Sequence, residues 1–261
     1  MSGFLLKLTS ANQTAKVIRM DSGEFDLTHG GTVPPAESLF ERCHWFYAFC
    51  REYLFRDHTK EIAKALFPTS EPAAGARLLE LGCGPGVYAC KFARRFPQIE
   101  ATGIDLSQRL LERARSRADT MHLSNCFFHE GDAQALPVLM QDSVDAVIVS
   151  RLFLIVPDKL AVLAEIFRVL KPGGRCFITE PTSKFRTRVP LSVMWLLARL
   201  SRTPTDQFQG PEQVDVLSGH EFLALVTSQP WGSVALREDD WYQSAVCVKT
   251  QDQLSKESAP E

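Results

Sequence analysis

The sequence lacks the patterns of several protein classes. Its 261 residues contain no apolar run near the ~18 residues of a membrane span. The seven cysteines are scattered without a C-x-x-C pair, which is typical of free thiols in a reducing compartment and not of a disulfide framework or a zinc site. Phe4 to Leu6 is too short for the apolar core of a signal peptide, and Lys7 follows it. We therefore expect a cytoplasmic protein with no metal site.

An excess of charge of one sign is also missing. The 29 basic and 31 acidic side chains leave a net charge of −2 at pH 7, which argues against general attraction to nucleic acid. We therefore do not expect DNA as a partner. Hydrophobic residues make up 45% of the chain, which is ample for the core of one α/β domain with additions.

One stretch joins an apolar run to glycines at alternate positions. Residues 78–81 predict a short buried strand, and residues 87–96 have the periodicity of a helix. Between them lie Gly82, Gly84 and Gly86. Glycine permits backbone angles that a side chain would forbid, and it lets a ligand lie against bare main chain near the amides of the helix start. The stretch therefore predicts a ligand-binding turn.

Two ligands compete for this turn. A dinucleotide-binding turn, G-x-G-x-x-G, would need its third glycine at position 87, which is Val87. Glu80 would also place an anion near a pyrophosphate. The residues instead match the first motif of the class I S-adenosylmethionine (SAM) dependent methyltransferases, an acidic residue followed by G-x-G-x-G, so the chain resembles that family. SAM carries an ammonium and a sulfonium but no phosphate, which suits the Glu80 carboxylate.

Strand and helix patterns continue beyond the turn. Further strands are predicted at 99–105, 126–128, 144–149 and 175–179. A helix at 218–228 precedes two strands, 233–238 and 244–249, which form a hairpin. Repeated βα units imply an α/β fold with a doubly wound, mostly parallel sheet. The resemblance adds that this sheet has seven strands, of which the last is antiparallel.

The domain organisation follows from these patterns. Residues 1–35 are expected to form a flexible arm, and 36–75 an N-terminal helical cap that is rich in aromatic residues. Helical spacing explains those aromatics by core packing, whereas the resemblance implies a lid over cofactor and acceptor. The resemblance implies that residues 76–250 form the Rossmann-like SAM-binding domain, with an insertion at 183–217 that shapes the acceptor pocket. Residues 251–261 predict a disordered tail.

Other cofactor contacts come from position and from the resemblance. Asp105 closes the second strand, where a carboxylate accepts hydrogen bonds from a ribose diol. The resemblance implies that Leu106 packs on the adenine, and that Asp132 and Ala133 contact its amino group and a ring nitrogen. The remaining implied contacts are in the glycine turn and at the end of the fourth strand: Glu80, Gly82, Cys83, Gly84, Gly86, Ser150 and Arg151.

Two of these residues have alternative explanations. Asp132 would also suit the cap of the next turn. Arg151 is expected to hold the cofactor's carboxylate or an acidic acceptor, or to pair with a structural carboxylate. The chain has Ser150–Phe153 where enzymes that methylate amide or base nitrogens carry an Asn- or Asp-Pro-Pro-aromatic run. This difference weighs against DNA adenine or protein glutamine as the acceptor.

Methyl transfer from a sulfonium is an in-line displacement, for which the protein mainly aligns acceptor, methyl group and sulfur. A base is required only if the acceptor enters protonated, and the candidates are Glu180, His44 and Tyr47. The stretch 77–180 resembles the group that contains quinone C-methyltransferases and natural-product methyltransferases. The resemblance therefore implies a small-molecule acceptor, lipophilic or aromatic. The alternatives are an RNA or protein methyltransferase and a non-catalytic SAM-binding subunit.

The insertion carries a further hypothesis about partners. Residues 191–200 have an amphipathic pattern and are flanked by cations. This pattern predicts core packing, a wall of the acceptor pocket that includes Trp195, or peripheral contact with a membrane that holds a lipophilic acceptor. A monomer or a homodimer is expected.

Overall fold

The computed structural model describes residues 42–69, 71–136, 139–200 and 216–251. All of them fall in one of the two units into which the chain divides, residues 32–261. The predicted arm at 1–35, the first part of the predicted cap and nearly all of the predicted tail lie outside the described residues.

Strands and helices alternate from residue 77 onward. The strands are β1 Arg77–Leu81, β2 Glu100–Asp105, β3 Cys126–Glu130, β4 Val144–Ser150, β5 Leu170–Pro181, β6 Trp231–Glu238 and β7 Tyr242–Lys249. The α-helices are α1 His44–Phe49, α2 Thr59–Leu66, α3 Val87–Arg95, α4 Gln108–Thr120, α5 Lys159–Val169, α6 Lys184–Leu200 and α7 Gly219–Val226. A π-helical turn, Cys50–Leu54, continues α1 directly.

The seven strands form one sheet in the order β3-β2-β1-β4-β5-β7-β6. The neighbours among β1 to β5 pair in parallel, and β7 pairs antiparallel with both β5 and β6. The predicted fold class, a doubly wound and mostly parallel seven-stranded sheet with an antiparallel last strand and N-terminal helices, is confirmed.

Helices cover both faces of this sheet. α2, α3 and α4 pack on one face, and α5 and α7 pack on the other. The first face holds a cluster of buried side chains that includes Tyr88, Phe92 and Phe177. Because both faces are covered, β4 is buried along nearly its whole length, as its apolar sequence predicts.

Side chains at the helix starts explain where two of the helices begin. Ser107 precedes α4, and its hydroxyl accepts a hydrogen bond from the Leu110 amide at 3.2 Å. Ser218 precedes α7 and forms a capping box with Glu221. Such caps satisfy amides that have no partner within the helix.

Observed bounds differ most from the predicted ones in two elements. α6 begins at Lys184, well before the predicted start at Leu191, and Pro190 lies inside it. Proline has no amide hydrogen to donate within a helix, so a proline in the sequence normally indicates a helix boundary. The sequence pattern therefore did not predict the part of α6 that precedes Pro190. β5 also begins earlier than predicted, at Leu170, because this residue already pairs with Val144 of β4.

All seven cysteines are buried free thiols. Within the described part of the chain, no helix is long and apolar enough to cross a membrane. Among the same residues, no group of three or more His, Cys, Asp or Glu side chains is arranged to hold a metal ion.

Candidate functional site

The strand order locates the site. β2 and β3 lie on one side of β1, whereas β4 and β5 lie on the other. In open α/β sheets, ligands bind at such a reversal, in the crevice beyond the carboxyl ends of the strands. The glycine turn at residues 82–86 follows β1, and residues 151–153 follow β4. These two segments therefore border the same crevice.

The glycine turn has the backbone that its sequence predicts. Gly84 and Gly86 have φ values of +52° and +67°. A Cβ atom on Gly86 would lie 2.6 Å from the ring of Phe128, so the turn can pack against β3 only if this residue is glycine. A Cβ atom on Gly84 would lie 3.2 Å from the ring of Tyr47. Gly84 therefore presents bare main chain to the crevice, beneath α1.

Asp105 ties the end of β2 to the glycine turn. Its Oδ2 accepts a hydrogen bond from the Gly84 amide at 2.7 Å, and its Oδ1 accepts one from the Ser107 amide at 2.9 Å. A carboxylate can accept about four hydrogen bonds. These two bonds fix the carboxylate at the place predicted for the ribose diol.

Glu80 faces the start of α3. It is 3% exposed, and its Oε2 accepts a hydrogen bond from the Ala89 amide at 2.7 Å. Burial raises the pKa of Glu80 to about 7, although the Arg51 guanidinium and this amide oppose the shift. In this geometry Glu80 anchors the glycine turn to the amino end of the helix, where negative charge is favoured.

The predicted adenine contacts lie at the edge next to Asp105. Asp132 accepts hydrogen bonds at Oδ1 from the Gln134 amide at 2.9 Å and from its side chain at 3.1 Å, so it caps the following turn. Ala133 is buried, whereas Leu106 is 63% exposed and leaves an apolar surface at the place predicted for the adenine. The Cys83 side chain is buried against Gly103, so only its main chain is available to a ligand.

A buried arginine from the π-helical turn lies beside the glycine turn. Arg51 is 6% exposed, and its guanidinium carbon lies 4.4 Å from the centre of the Tyr88 ring. Its Nη2 is buried and has no hydrogen-bond partner among the described residues. Tyr88 is the second residue of α3, so this guanidinium is on the β1 side of the crevice.

Arg151 lies on the other side of the crevice. Its φ of +58° is in the left-handed region, which is unusual for a residue with a side chain. Its guanidinium carbon lies 3.3 Å from the centre of the Phe55 ring, and its Nη1 donates a hydrogen bond to the Tyr242 hydroxyl at 3.3 Å. Its Nη2 is buried and, like that of Arg51, lacks a partner within the described residues. Ser150 precedes it and is half-buried.

The three candidate bases fall in different places. Tyr47 lies over Gly84, and burial raises its pKa. Glu180 is 1% exposed at the end of β5, where its Oε1 accepts a hydrogen bond from the Phe153 amide at 3.0 Å. Burial raises the pKa of Glu180 to about 8. His44 begins α1 and is half-buried. Of the three, Tyr47 is the one that lies against the glycine turn.

The sequence reading missed His58, which lies between the π-helical turn and α2. This side chain is 4% exposed, and its Nδ1 lies 3.1 Å from the Oε2 of Glu61. Its ring meets the Tyr242 ring edge-on at 4.7 Å, and its amide donates a hydrogen bond to the Tyr88 hydroxyl at 3.3 Å. Its Nε2 is buried without a partner among the described residues. The only local signal was the spacing of His58 and Glu61, which is common in helices.

These features fit SAM. The Asp105 carboxylate is fixed at the place predicted for the ribose, Gly84 leaves the main chain uncovered by a side chain of its own, and the buried Nη2 of Arg51 is a donor that suits an acceptor such as the cofactor's carboxylate. The exposed Leu106 provides an apolar surface for a ring.

Comparisons with known proteins agree that the chain is similar to methyltransferases. A family model described as a methyltransferase domain matches residues 72–229, more than half of the chain. The ubiquinone/menaquinone biosynthesis C-methyltransferase UbiE of Desulfotalea psychrophila is 32% identical over 164 residues, which cover 61% of this chain and 62% of the relative. The demethylmenaquinone methyltransferase of Lactococcus lactis is 35% identical over 127 residues, which cover 48% and 50%. The chain thus spans about half to three fifths of the length of these relatives.

A solved structure has the same fold. Phosphoethanolamine N-methyltransferase 2 of Haemonchus contortus, in complex with phosphomonomethylethanolamine and S-adenosylhomocysteine, superposes with a TM-score of 0.61 at 16% identity. The match covers 82% of this chain and 59% of that one, and at this identity it concerns the fold alone. With the family model spanning strands β1 to β5 and the glycine turn, the chain belongs to the class I SAM-dependent methyltransferases, and SAM is the cofactor of that family.

Proposed function

We propose that the protein transfers a methyl group from SAM to a small-molecule acceptor that is aromatic or lipophilic. The observation that carries this proposal is the cover over the glycine turn. Tyr47 of α1 lies against Gly84, and the Nη2 atoms of Arg51 and Arg151 are sealed from solvent. A covered crevice suits an acceptor that is enclosed, whereas an RNA or protein chain requires an open groove.

The cap and the insertion support the same proposal by packing together. The Cys43 thiol, just before α1, donates a hydrogen bond to the Met194 carbonyl of α6 at 3.3 Å. The Met194 side chain is fully buried, and Trp195 packs against the same pair. We infer that the cap at 36–75 and the insertion at 183–217 together enclose the acceptor above the SAM-binding domain at 76–250.

Alignment is the main task of the protein in this reaction. SAM supplies a methyl group activated by a positively charged sulfur. Asp105 would hold the ribose, Leu106 would pack on the adenine, and Arg51 would hold the carboxylate of the methionine moiety. Fixing both reactants raises their effective molarity, which supplies much of the rate of such a displacement.

A proton acceptor is needed only for an acceptor that enters protonated. Burial raises the pKa values of Tyr47 and Glu180, so both hold their protons at neutral pH. Burial lowers the pKa of His58, although Glu61 opposes the shift, so its ring is neutral at pH 7. His58 is therefore the better candidate for a base, with Nε2 as the receiving atom if Nδ1 carries the proton toward Glu61.

The curated relatives support an aromatic, lipophilic acceptor. Both are named as methyltransferases of ubiquinone or menaquinone synthesis. Three apolar side chains of α6 are exposed, Val189, Leu196 and Leu200. They suit contact with a membrane surface in which such an acceptor would be dissolved.

The test is transfer of labelled methyl from SAM into an extract of the source cells, divided into RNA, protein, lipid and small-solute fractions. We expect label in the lipid or small-solute fraction, and none with Asp105→Ala. Label confined to RNA or protein would disprove the small-molecule acceptor while leaving the cofactor site intact. SAM binding without any transfer would favour a non-catalytic subunit.

A further inference from the structure

Two buried guanidinium groups face the same crevice, and each is incompletely paired. Neither Arg51 nor Arg151 forms an ion pair with a carboxylate among the described residues, and each has a buried Nη2 without an acceptor. A buried donor without a partner costs free energy, and a buried cation without an anion costs more. Such an atom in a native structure calls for a missing partner. The crevice therefore has places for two anionic contacts.

The buried Nη2 atoms of Arg51 and Arg151 lie at different positions along the sheet. Most of the predicted cofactor contacts form a row from Asp132 after β3, through Asp105 at the end of β2, to the turn after β1, whereas the other two, Ser150 and Arg151, lie at the end of β4. Arg51 lies over Tyr88, directly beyond that turn, and so belongs to the end of this row. Arg151 and Tyr242 belong to β4 and β7, which are farther along the sheet by one strand spacing of ~4.8 Å or more. SAM has one carboxylate, and Arg51 lies where the row places it.

The charges of the crevice favour an anion at the second place. Arg51 and Arg151 bring two positive charges, and bound SAM adds a net positive charge from its sulfonium. Against them stand Asp105, whose oxygens already accept hydrogen bonds from two amides, and Glu80 and Glu180, both of which burial makes harder to ionise. With SAM bound, an anionic acceptor would balance the site.

Two neighbouring side chains hold the guanidinium of Arg151 in one orientation. Phe55 stacks on its guanidinium, and the Tyr242 hydroxyl accepts from Nη1, so two partners hold the plane of the group. Its unusual φ of +58° carries a conformational cost, of the kind that is often found at functional sites. A planar guanidinium held in this way presents its remaining N–H groups in the geometry that a carboxylate accepts.

We propose that Arg151, held by Phe55 and Tyr242, binds a carboxylate of the methyl acceptor, so that the substrate is an aromatic or lipophilic carboxylic acid. This inference rests on the proposed function. It assigns Arg51 to the cofactor and Arg151 to the acceptor. An acceptor held by its carboxylate at Arg151 would lie on the β4 side of the cofactor, next to the methionine end from which the methyl group leaves.

The first experiment needs no variant. An extract of the source cells is separated on an anion exchanger before the assay, and each pool is incubated with labelled SAM and the full chain. We expect the acceptor in the retained pool. An acceptor found only in the pool that flows through would overturn the inference while leaving the methyltransferase function intact. No transfer from either pool would remove the proposed function, and this inference with it.

Variants then distinguish the proposed roles of Arg51 and Arg151. Arg151→Met is expected to raise KM for the retained pool by at least about tenfold, as loss of a buried charged contact does, and to leave the Kd for SAM unchanged in calorimetry. Arg51→Met is expected to weaken SAM binding itself. Arg113→Met, an exposed residue of α4, is the matched control and should change neither quantity.

The SAM titration also reports whether the Arg151 variants are folded, and urea unfolding reports the same for Arg51→Met. Arg151→Lys, which keeps the charge but loses the planar group, should recover part of the lost KM. The inference is wrong if Arg151→Met weakens SAM binding while Arg51→Met does not, or if Arg151→Met leaves KM unchanged.

Discussion

Main-chain atoms are prominent on one side of the crevice, and long side chains are prominent on the other. At the ends of β1 and β2, the main chain itself contributes to the surface, because Gly84 carries no side chain and Asp105 accepts hydrogen bonds from backbone amides. At the ends of β4 and β5 and the start of β7, long side chains from distant parts of the sequence meet, as Arg151 and Tyr242 do. A surface of main chain suits a ligand that stays the same, such as the cofactor. A surface of side chains suits an acceptor, because single substitutions can change which acceptor it binds. Four predictions test this contrast.

The largest effect is expected for Gly86→Ala, on the main-chain side. The new Cβ would meet the Phe128 ring at 2.6 Å and the Ala114 methyl at 2.8 Å, at a φ of +67°. Overpacking and backbone strain together should cost about 3 kcal/mol of unfolding free energy, measured by urea denaturation. Gly75→Ala has a similar φ of +74° but open space around it, so it should cost only about 1 kcal/mol. Equal losses would mean that close packing of the turn is unimportant.

Asp105→Ala should affect ligand binding more than folding. It removes an acceptor for the Gly84 and Ser107 amides and for the ribose. We expect SAM affinity to fall about 100-fold, as when a charged acceptor of several hydrogen bonds is lost, measured by isothermal titration. Asp119→Ala, an exposed residue of α4, is the control. Unchanged affinity for Asp105→Ala would place the ribose elsewhere.

On the side-chain side, Glu180 should make stability depend on pH. Its usual pKa of 4.5 is raised to about 8 by burial, so the folded chain keeps a proton that the unfolded chain has lost. Its contribution to stability therefore falls as the pH rises from about 4.5 to about 8. Gln243 lies directly opposite Glu180 on β7, and its buried Oε1 lacks a partner among the described residues.

Glu180→Gln should remove this dependence. The new amide can donate to the Oε1 of Gln243, so the variant should be about 1–2 kcal/mol more stable than the wild type near pH 8.5 and lose that advantage near pH 5. Urea unfolding at several pH values gives the difference. Glu112→Gln, an exposed residue of α4, should be neutral throughout. A constant difference would show that Glu180 is ionised in the folded chain.

The smallest effect is expected for Leu106→Ala. This side chain is 63% exposed, so its removal should change stability by less than about 0.5 kcal/mol. It should weaken SAM binding by about 1 kcal/mol, because the adenine would lose apolar contact area. Leu160→Ala is a suitable control, since Leu160 is 56% exposed but lies at the start of α5. Unaltered SAM binding in the Leu106 variant would remove this residue from the site.

The same contrast explains what the sequence could predict. The glycine turn and Asp105 follow strand ends within a short stretch, so their placement depends on local geometry and on the order of strands. Arg51 and His58 carry no such local signal, because each acquires its surroundings from another element. Arg51 meets Tyr88 of α3, and His58 meets Tyr242 of β7.

Fold class and helix bounds were predictable for a similar reason. Apolar periodicity records which face of a helix or strand is buried, and it predicted a helix at 218–228, where α7 runs from Gly219 to Val226. It did not record the first part of α6, where Pro190 interrupts the pattern. Nor could it distinguish Glu80 as a direct cofactor ligand from Glu80 as an anchor of α3, because both uses need a carboxylate at the same place.

The position of β7 also affects the order in which the site can be completed during synthesis. Of the seven strands of the sheet, β7 is the last to leave the ribosome, yet it lies between β5 and β6 and joins β6 to the sheet. Because it runs antiparallel, its first residue, Tyr242, reaches the ligand edge beside Pro181 of β5. A nascent chain that ends before residue 242 has the glycine turn and Asp105, but it has neither the hydroxyl that holds Arg151 nor the ring that meets His58. We expect such a chain to acquire SAM binding before it acquires an acceptor site.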